Sequence, residues 1–386
     1  MASLRAHAIL GSLLAVAVAV GIACTPASAP PASPAKPTAP APSAPAAPAA
    51  AQPGQPASAP SAAQPAPPAA LQKVRYGELG IRGDVGVYVG MDEGYFAEEG
   101  IEVELVTFDS AANMVAPLAT NQIDVGAGAP SAGLYNALRG GVNVRIVAGR
   151  GHSDPTPPGF PVSIYVVRKA LVDSGQVKGI ADLKGLRFAQ PARGISPEID
   201  LHLFLQQGGL TAADLDTTFM GFPDMVSAYA NDNLDFSFIV EPFATIALNQ
   251  GTVSVLGYDY QVNPYYQVAV MLYSPEFSKS DLAGKFMAAH LRGARVYNDG
   301  VRKNDAVARE KSVNALVAHT PVKNRALYDQ MTAAGLDPDG KLDLPSFERQ
   351  QDWFLNSGAQ QARVDLSQFI DLQHVEAAVR QLGPYR

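Results

Sequence analysis

The 386-residue sequence has a single cysteine, Cys24, which excludes an intramolecular disulfide and leaves burial of apolar surface to stabilise any fold. Charge is sparse and scattered: 29 Lys and Arg against 36 Asp and Glu give a net charge of -7. With no basic cluster there is no electrostatic footprint for a phosphate backbone, so nucleic acid is excluded as a partner. Long hydrophobic runs are equally scarce. The one uncharged apolar stretch, residues 9–23, is too short to cross ~30 Å of hydrocarbon comfortably. Signatures of catalysis are missing as well, because no Gly-x-Ser-x-Gly elbow, His-Glu-x-x-His pair or P-loop occurs. The run Gly126-Ala127-Gly128-Ala129-Pro130-Ser131 misses the dinucleotide fingerprint by a Ser in place of its last Gly. Glu198 and His202 stand four apart on one helical face, but without a further Cys or His nearby they read as a surface ion pair. No catalytic residue, metal or cofactor is predicted.

What is present begins with Arg5 and His7 ahead of the apolar stretch, the layout of an export signal over residues 1–23. Gly21-Ile22-Ala23 followed by Cys24 resembles a bacterial lipobox, which implies lipid attachment at Cys24 and a membrane tether. The competing reading is cleavage after Ala27-Ser28-Ala29, which would remove Cys24 and release a soluble protein. Residues 24–72 are almost wholly Pro, Ala, Ser, Thr, Gln and Gly, with no aromatic residue and one charge, Lys36. Such a segment cannot form a packed core, and at ~3.1 Å per residue in polyproline II it is a stalk reaching on the order of 100 Å.

After Lys73 short apolar runs alternate with helical stretches, the signature of α/β units around a mostly parallel sheet. Strands are predicted at 74–80, 101–108, 124–127 and 144–148, with helices at 85–93, 110–120 and 130–138. A second set has strands at 186–190, 217–221, 236–240 and 253–257, and helices at 197–206, 225–231 and 243–249. Ser196-Pro197 and Ser274-Pro275 each place a capping Ser before a Pro at a helix start. One more strand is predicted at 268–273, and only helices follow. The stripe Leu282, Phe286, Ala289, Gly293 must be buried on an earlier sheet. Two lobes are therefore expected, with 73–167 and 268–386 forming the first and 168–267 the second.

Several segments carry a family resemblance. Gly94-Tyr95-Phe96-Ala97-Glu98-Glu99-Gly100 leads into the alternating Ile101, Val103 and Leu105; then come 121–128, 144–148, 181–187 and Glu241-Pro242. In this order they resemble the type II periplasmic binding proteins, in the group of sulfonate-binding and thiamine-pyrimidine-binding, THI5-like proteins. The resemblance covers about Lys73 to Lys303. It implies a two-lobed α/β fold closing on a small-molecule ligand, an extracytoplasmic location, permease subunits of an ABC importer as partners, and a monomer. The nearest enzymes it brings to mind are the eukaryotic THI5-like pyrimidine synthases, whose cysteine-rich motif is absent here.

Ligands in open α/β sheets sit beyond the carboxyl ends of strands, where helix starts present free backbone N–H groups. Four loops qualify: 80–84 with Arg82 and Asp84, 109–113 with Ser110, 128–131 with Ala129 and Ser131, and 192–197 with Arg193 and Ser196. Ser131 and Ser196 could equally do no more than begin helices, and Arg193 could be a solvated surface residue. Of the aromatics near strand ends and crossovers, Tyr165, Phe222, Tyr229, Tyr258, Tyr265 and Tyr266, about two are expected to face the ligand. Glu241 follows a strand and either meets the ligand or an Arg, or serves a helix start. The arginines favour an anion and the tyrosines a planar heterocycle such as a pyrimidine or flavin precursor, with a slight lean to the heterocycle. If Cys24 carries the tether, the wild-type chain should incorporate radiolabelled palmitate and fractionate with membranes, and Cys24→Ala should lose both.

Overall fold

The computed structural model describes residues 70–386; Cys24, the apolar run before it and all but the end of the proposed stalk lie outside the described residues. Two five-stranded sheets organise it. The first is built from β1 (Gln72–Glu78), β2 (Ile101–Thr107), β3 (Val125–Gly128), β4 (Arg145–Gly149) and β10 (Val270–Tyr273), in the order β2-β1-β3-β10-β4. The second contains β5 (Ile164–Arg168), β6 (Arg187–Gln190), β7 (Asp216–Phe219), β8 (Phe236–Ile239) and β9 (Val253–Tyr258), in the order β7-β6-β8-β5-β9. β1 pairs in parallel with β2 and β3, and β6 with β7 and β8. The expectation of mostly parallel sheets holds only for those strands. β10 and β5 each run antiparallel to both of their neighbours, and these are the two strands by which the chain enters one sheet from the other.

The strand β5 corrects the expected crossing near Val167. Ile164, Tyr165, Val166 and Val167 are all buried and pair between β8 and β9, so residues 164–167 belong to the second sheet. A continuous apolar run of this kind needs cover on both faces, which a crossover lacks. The chain therefore passes over within 150–163 and returns within 259–269. Elsewhere the helices Pro197–Gln206 and Phe243–Asn249 occupy their predicted bounds. The segment 110–120 instead splits into a tight turn, Ala111–Met114, and a short helix, Val115–Ala119, with Ser110 Oγ accepting from Ala112 N.

No strand follows β10 among the described residues, and the C-terminal helices pack on what precedes them. Phe286 lies among Tyr76, Phe96, Tyr273 and Phe277 at centroid distances of 4.8–6.3 Å, which seats the helix Leu282–Arg302 on the first sheet. Gly293 is required there, because a Cβ at that position would lie 2.0 Å from Gly86 O of the helix Val85–Asp92.

Two buried carboxyls hold the crossovers. Asp259 Oδ2 accepts from Val162 N (3.0 Å) and Ser163 N (2.8 Å) of the outgoing segment, and Asp200 Oδ1 accepts from Asn263 Nδ2 (2.8 Å) of the returning one. Asp200 Oδ2 has no partner. Burial pushes the Asp259 carboxyl from 3.8 up to about 7, and burial together with the charge of Asp259 raises Asp200 well above the ordinary value. The folded chain thus keeps protons that the unfolded chain has released. Stability from this pair is present below about pH 4, near the unfolded carboxyl value, and is lost as pH rises towards 7 and above. Asp200→Asn, which removes the titrating group, should flatten the decline in urea-unfolding free energy between pH 4.5 and 8 and be relatively more stable at pH 8. An unchanged slope would remove Asp200 from this role.

Candidate functional site

Between the two sheets lies a cavity of about 80 Å³, floored by the ends of strands from both lobes. Leu79, Ile81 and Ala127 to Ala129 wall it on the first-lobe side; Ser163, Ile195, Phe222, Phe238 and Val240 wall it on the second. A smaller chamber of about 40 Å³ adjoins it, sharing Ile81, Arg150, Val162, Val240 and Ala269, and is completed by Arg82, Glu241 and the C-terminal stretch Thr332 to Leu336. The lobes meet directly around these chambers. Ala132 N donates to Gly194 O at 2.8 Å, Ser131 forms an isolated antiparallel bridge with Ile195, and Arg82 N donates to Glu241 O at 2.9 Å.

Arg150 is the central side chain. It follows β4 directly, is 4% exposed, and lines both chambers. Its Nη1 donates to Gly83 O (2.6 Å) and Asp84 Oδ1 (2.9 Å), while its Nε has no partner. Asp84 itself stands behind the wall, where it also accepts from Tyr76 OH (3.0 Å) and from the backbone N of Leu79 and Ile81 (each 3.3 Å). Asp84 thus neutralises the cavity cation and shapes the 79–84 loop, rather than meeting a ligand. Arg82, 6% exposed, donates through Nη1 to Thr332 O at 2.8 Å, and its Nε is likewise unpartnered. Glu241 accepts from Thr332 N and Thr245 N; burial raises its carboxyl above the ordinary value, and the charge of Arg82 opposes that rise. Ser163 adds a third unpartnered polar atom, its buried Oγ, to the wall of the larger chamber.

Other expected contacts are corrected. Ser110 and Ala129 line the larger chamber, and Arg82 and Glu241 the smaller. Ser131 does not: its Oγ caps the helix Ala132–Arg139 by accepting from Leu134 N at 3.1 Å. Ser196 is not a cap, because its own backbone is already helical; its Oγ donates to Val268 O at 2.8 Å instead. Tyr165 stacks on Phe204 at 4.0 Å in the second-lobe core, and Tyr229 is buried there with its OH on Ser237 Oγ and Val166 O. Arg193 is exposed and covers the Phe219 ring at 5.2 Å. Of the six aromatics singled out, Phe222 lines the cavity; Tyr266 is buried against Ser196 O, Tyr258 stacks on Tyr260, and Tyr265 is exposed. Glu198 and His202 do not pair either. Glu198 accepts from Gln190 Nε2 and Gly194 N, and His202 lies 4.4 Å from the Trp353 ring. Missed altogether were Arg150, Ser163 and Phe238. Arg150 had a readable signal, since Gly149-Arg150-Gly151 stands at the carboxyl end of a predicted strand.

The wall is mostly hydrocarbon, and Arg82, Arg150 and Ser163, which border one chamber or both, each keep one buried polar atom without a protein partner. Buried donors left unpaired cost about 1–3 kcal/mol each, more when charged, so these groups favour an acceptor, water or ligand, beside them. The two guanidiniums are offset by two buried carboxyl groups, Asp84 and Glu241. Such a cavity suits a small, largely apolar molecule bearing hydrogen-bond acceptors.

Residues 84–299 match the family described as NMT1/THI5 like. No curated protein matches the sequence. Among solved structures, a ligand-binding component of an ABC-type import system from Staphylococcus aureus, with zinc bound, is 16% identical, covers 80% of this chain and 99% of its own, and superposes with a TM-score of 0.65. The alkanesulfonate-binding protein SsuA from Xanthomonas axonopodis pv. citri, bound to MOPS, is 18% identical, with coverages of 79% and 99% and a TM-score of 0.61. The desulfurization enzyme DSZB is 14% identical over 80% and 99% of the two chains, at a TM-score of 0.56. These likenesses establish the two-lobed α/β architecture of the periplasmic binding proteins, and because the family match spans more than half of the sequence, the chain belongs to the NMT1/THI5-like family.

Proposed function

We propose that this protein is the extracytoplasmic solute-binding component of an ABC importer, a monomer held at the membrane through Cys24, that captures a small organic molecule between its lobes and presents it to permease subunits. The observation that carries this is a pair of adjoining interlobe chambers walled by hydrocarbon and bordered by two buried guanidiniums, Arg82 and Arg150, and by the buried Ser163. Ser163 Oγ has no hydrogen-bond partner, so no base activates it, and the wall offers recognition groups rather than an acid–base pair. That supports binding over the enzymatic reading that DSZB's shared fold keeps in view.

On the ligand, none of the tyrosines that favoured a heterocycle lines the chambers, but the cavity itself supports the same class by another route. Phe222 and Phe238 furnish ring surface, and a flat ring against one gains about 0.5–1.5 kcal/mol beyond area burial. The paired carboxyl groups reduce the pull on a strong anion, which favours a neutral ring whose nitrogen or oxygen atoms accept from the two guanidiniums. A pyrimidine- or flavin-like heterocycle fits these terms. The second reading is a small anion such as an aliphatic sulfonate, favoured by the presence of two arginines in so small a space.

Native mass spectrometry of the secreted full chain, purified without refolding, should show a small-molecule adduct that denaturation releases unchanged. Ala129→Trp, which fills the larger chamber, should purify without it. Chemical conversion of the released molecule on incubation, or an adduct equally abundant in Ala129→Trp, would overturn the proposal.

A further inference from the structure

Arg82 borders a second, larger space. A cavity of about 330 Å³ opens against the helices Leu282–Arg302 and Ala306–His319 and the stretch Met331 to Ala333. Its floor is apolar and buried: Val313, Leu316 and Met331, with Tyr297 and Tyr328 beside them. The charged residues of its wall are Arg82 and Arg309, with no carboxylate among the lining residues. Arg309 stands at the exposed rim, where its one acidic partner, Asp329, is a solvent-exposed residue at 2.8 Å. Arg82 is buried, with Nη1 spent on Thr332 O and Nε unpartnered, and its charge reaches the phenols of both Tyr297 and Tyr328.

Two guanidiniums on a wall without carboxylates favour an anion, and an apolar floor favours hydrocarbon. Glu241 offsets Arg82 from the cleft side, whereas no carboxylate lines this cavity. Most of its wall, from Gly300 to Ala333, also lies beyond the residues matched by the family, so the family likeness does not account for it.

We propose that this cavity is a second ligand site, separate from the interlobe cleft, that takes a small amphipathic monocarboxylate. The carboxylate sits between Arg82 and Arg309, and the alkyl chain lies on Val313, Leu316 and Met331. Arg82 borders both spaces, so the two readings are separated through Ala129, which lines only the cleft, and Arg309 and Met331, which line only this cavity.

The test is titration of hexanoate into the full-length chain by isothermal calorimetry, with hexanol as the uncharged probe. Hexanoate should bind, and hexanol should bind at least about tenfold more weakly, because it lacks the charge the arginines recognise. Met331→Trp, which fills the floor, and Arg309→Ala, at an exposed position that leaves the fold intact, should each weaken hexanoate by about tenfold or more. Ala129→Trp, which blocks the cleft, should leave it within about twofold. The proposal is overturned if hexanoate fails to bind by ~10 mM, if hexanol matches it, or if Ala129→Trp abolishes binding while Arg309→Ala does not.

Discussion

A single buried ion pair underlies the cleft. Arg150 and Asp84 have side chains 3% and 0% exposed, and neither could be buried alone without a cost of several kcal/mol. Asp84 gathers Tyr76 OH and the backbone N of Leu79 and Ile81, so the loop after β1 is shaped around the carboxylate. Arg150 closes the network through Gly83 O, and its buried Nε has no protein partner. One residue, Arg150, therefore belongs both to the structural network and to the chamber wall. One consequence lies deeper in the first lobe, where burial, reinforced by the charge of Arg150, pushes His290 down to about 3 and keeps it neutral.

The second constraint is the pair of crossovers. β5 and β10, which both run antiparallel to their neighbours, each lie fourth of five in their sheets, next to strands whose ends line the cleft. Ser163, which begins this crossing into β5, carries an orphaned hydroxyl in the wall while its backbone is held by Asp259. Movement of one lobe against the other would have to pass through segments tied down by Asp259 and by the bond between Asp200 and Asn263. The C-terminal stretch adds a third tie, since Thr332 accepts from Arg82 of one lobe and donates to Glu241 of the other.

Secondary structure was readable for several elements with a clear local period, though not for 110–120. The helices Pro197–Gln206 and Phe243–Asn249 follow from turn chemistry and apolar spacing, and their bounds were predicted correctly. The alternation in Ile101, Val103 and Leu105 likewise marked β2. β5 escaped because a short apolar run has no periodicity that tells a crossover from a strand buried on both faces. The site residues divide in the same way. Ser110, Ala129, Arg82 and Glu241 line the interlobe chambers because they follow the carboxyl ends of strands, which are identifiable from sequence, whereas Tyr165 and Tyr229 lie in the core, and strand-end position says nothing about which face a ring occupies.

The sequence by itself determined the α/β alternation, the absence of a disulfide, the two-set organisation of the strands and the family, because composition, period and turn residues act over short stretches of chain. Only the tertiary structure decided which polar groups remain unspent. Ser131 and Ser196 carry the same hydroxyl as Ser163, yet the first caps a helix and the second bonds Val268 O, while the third is left free in the cavity wall. Hydrogen bonds to partners distant in sequence settle that difference, and those partners meet only when the sheets have packed.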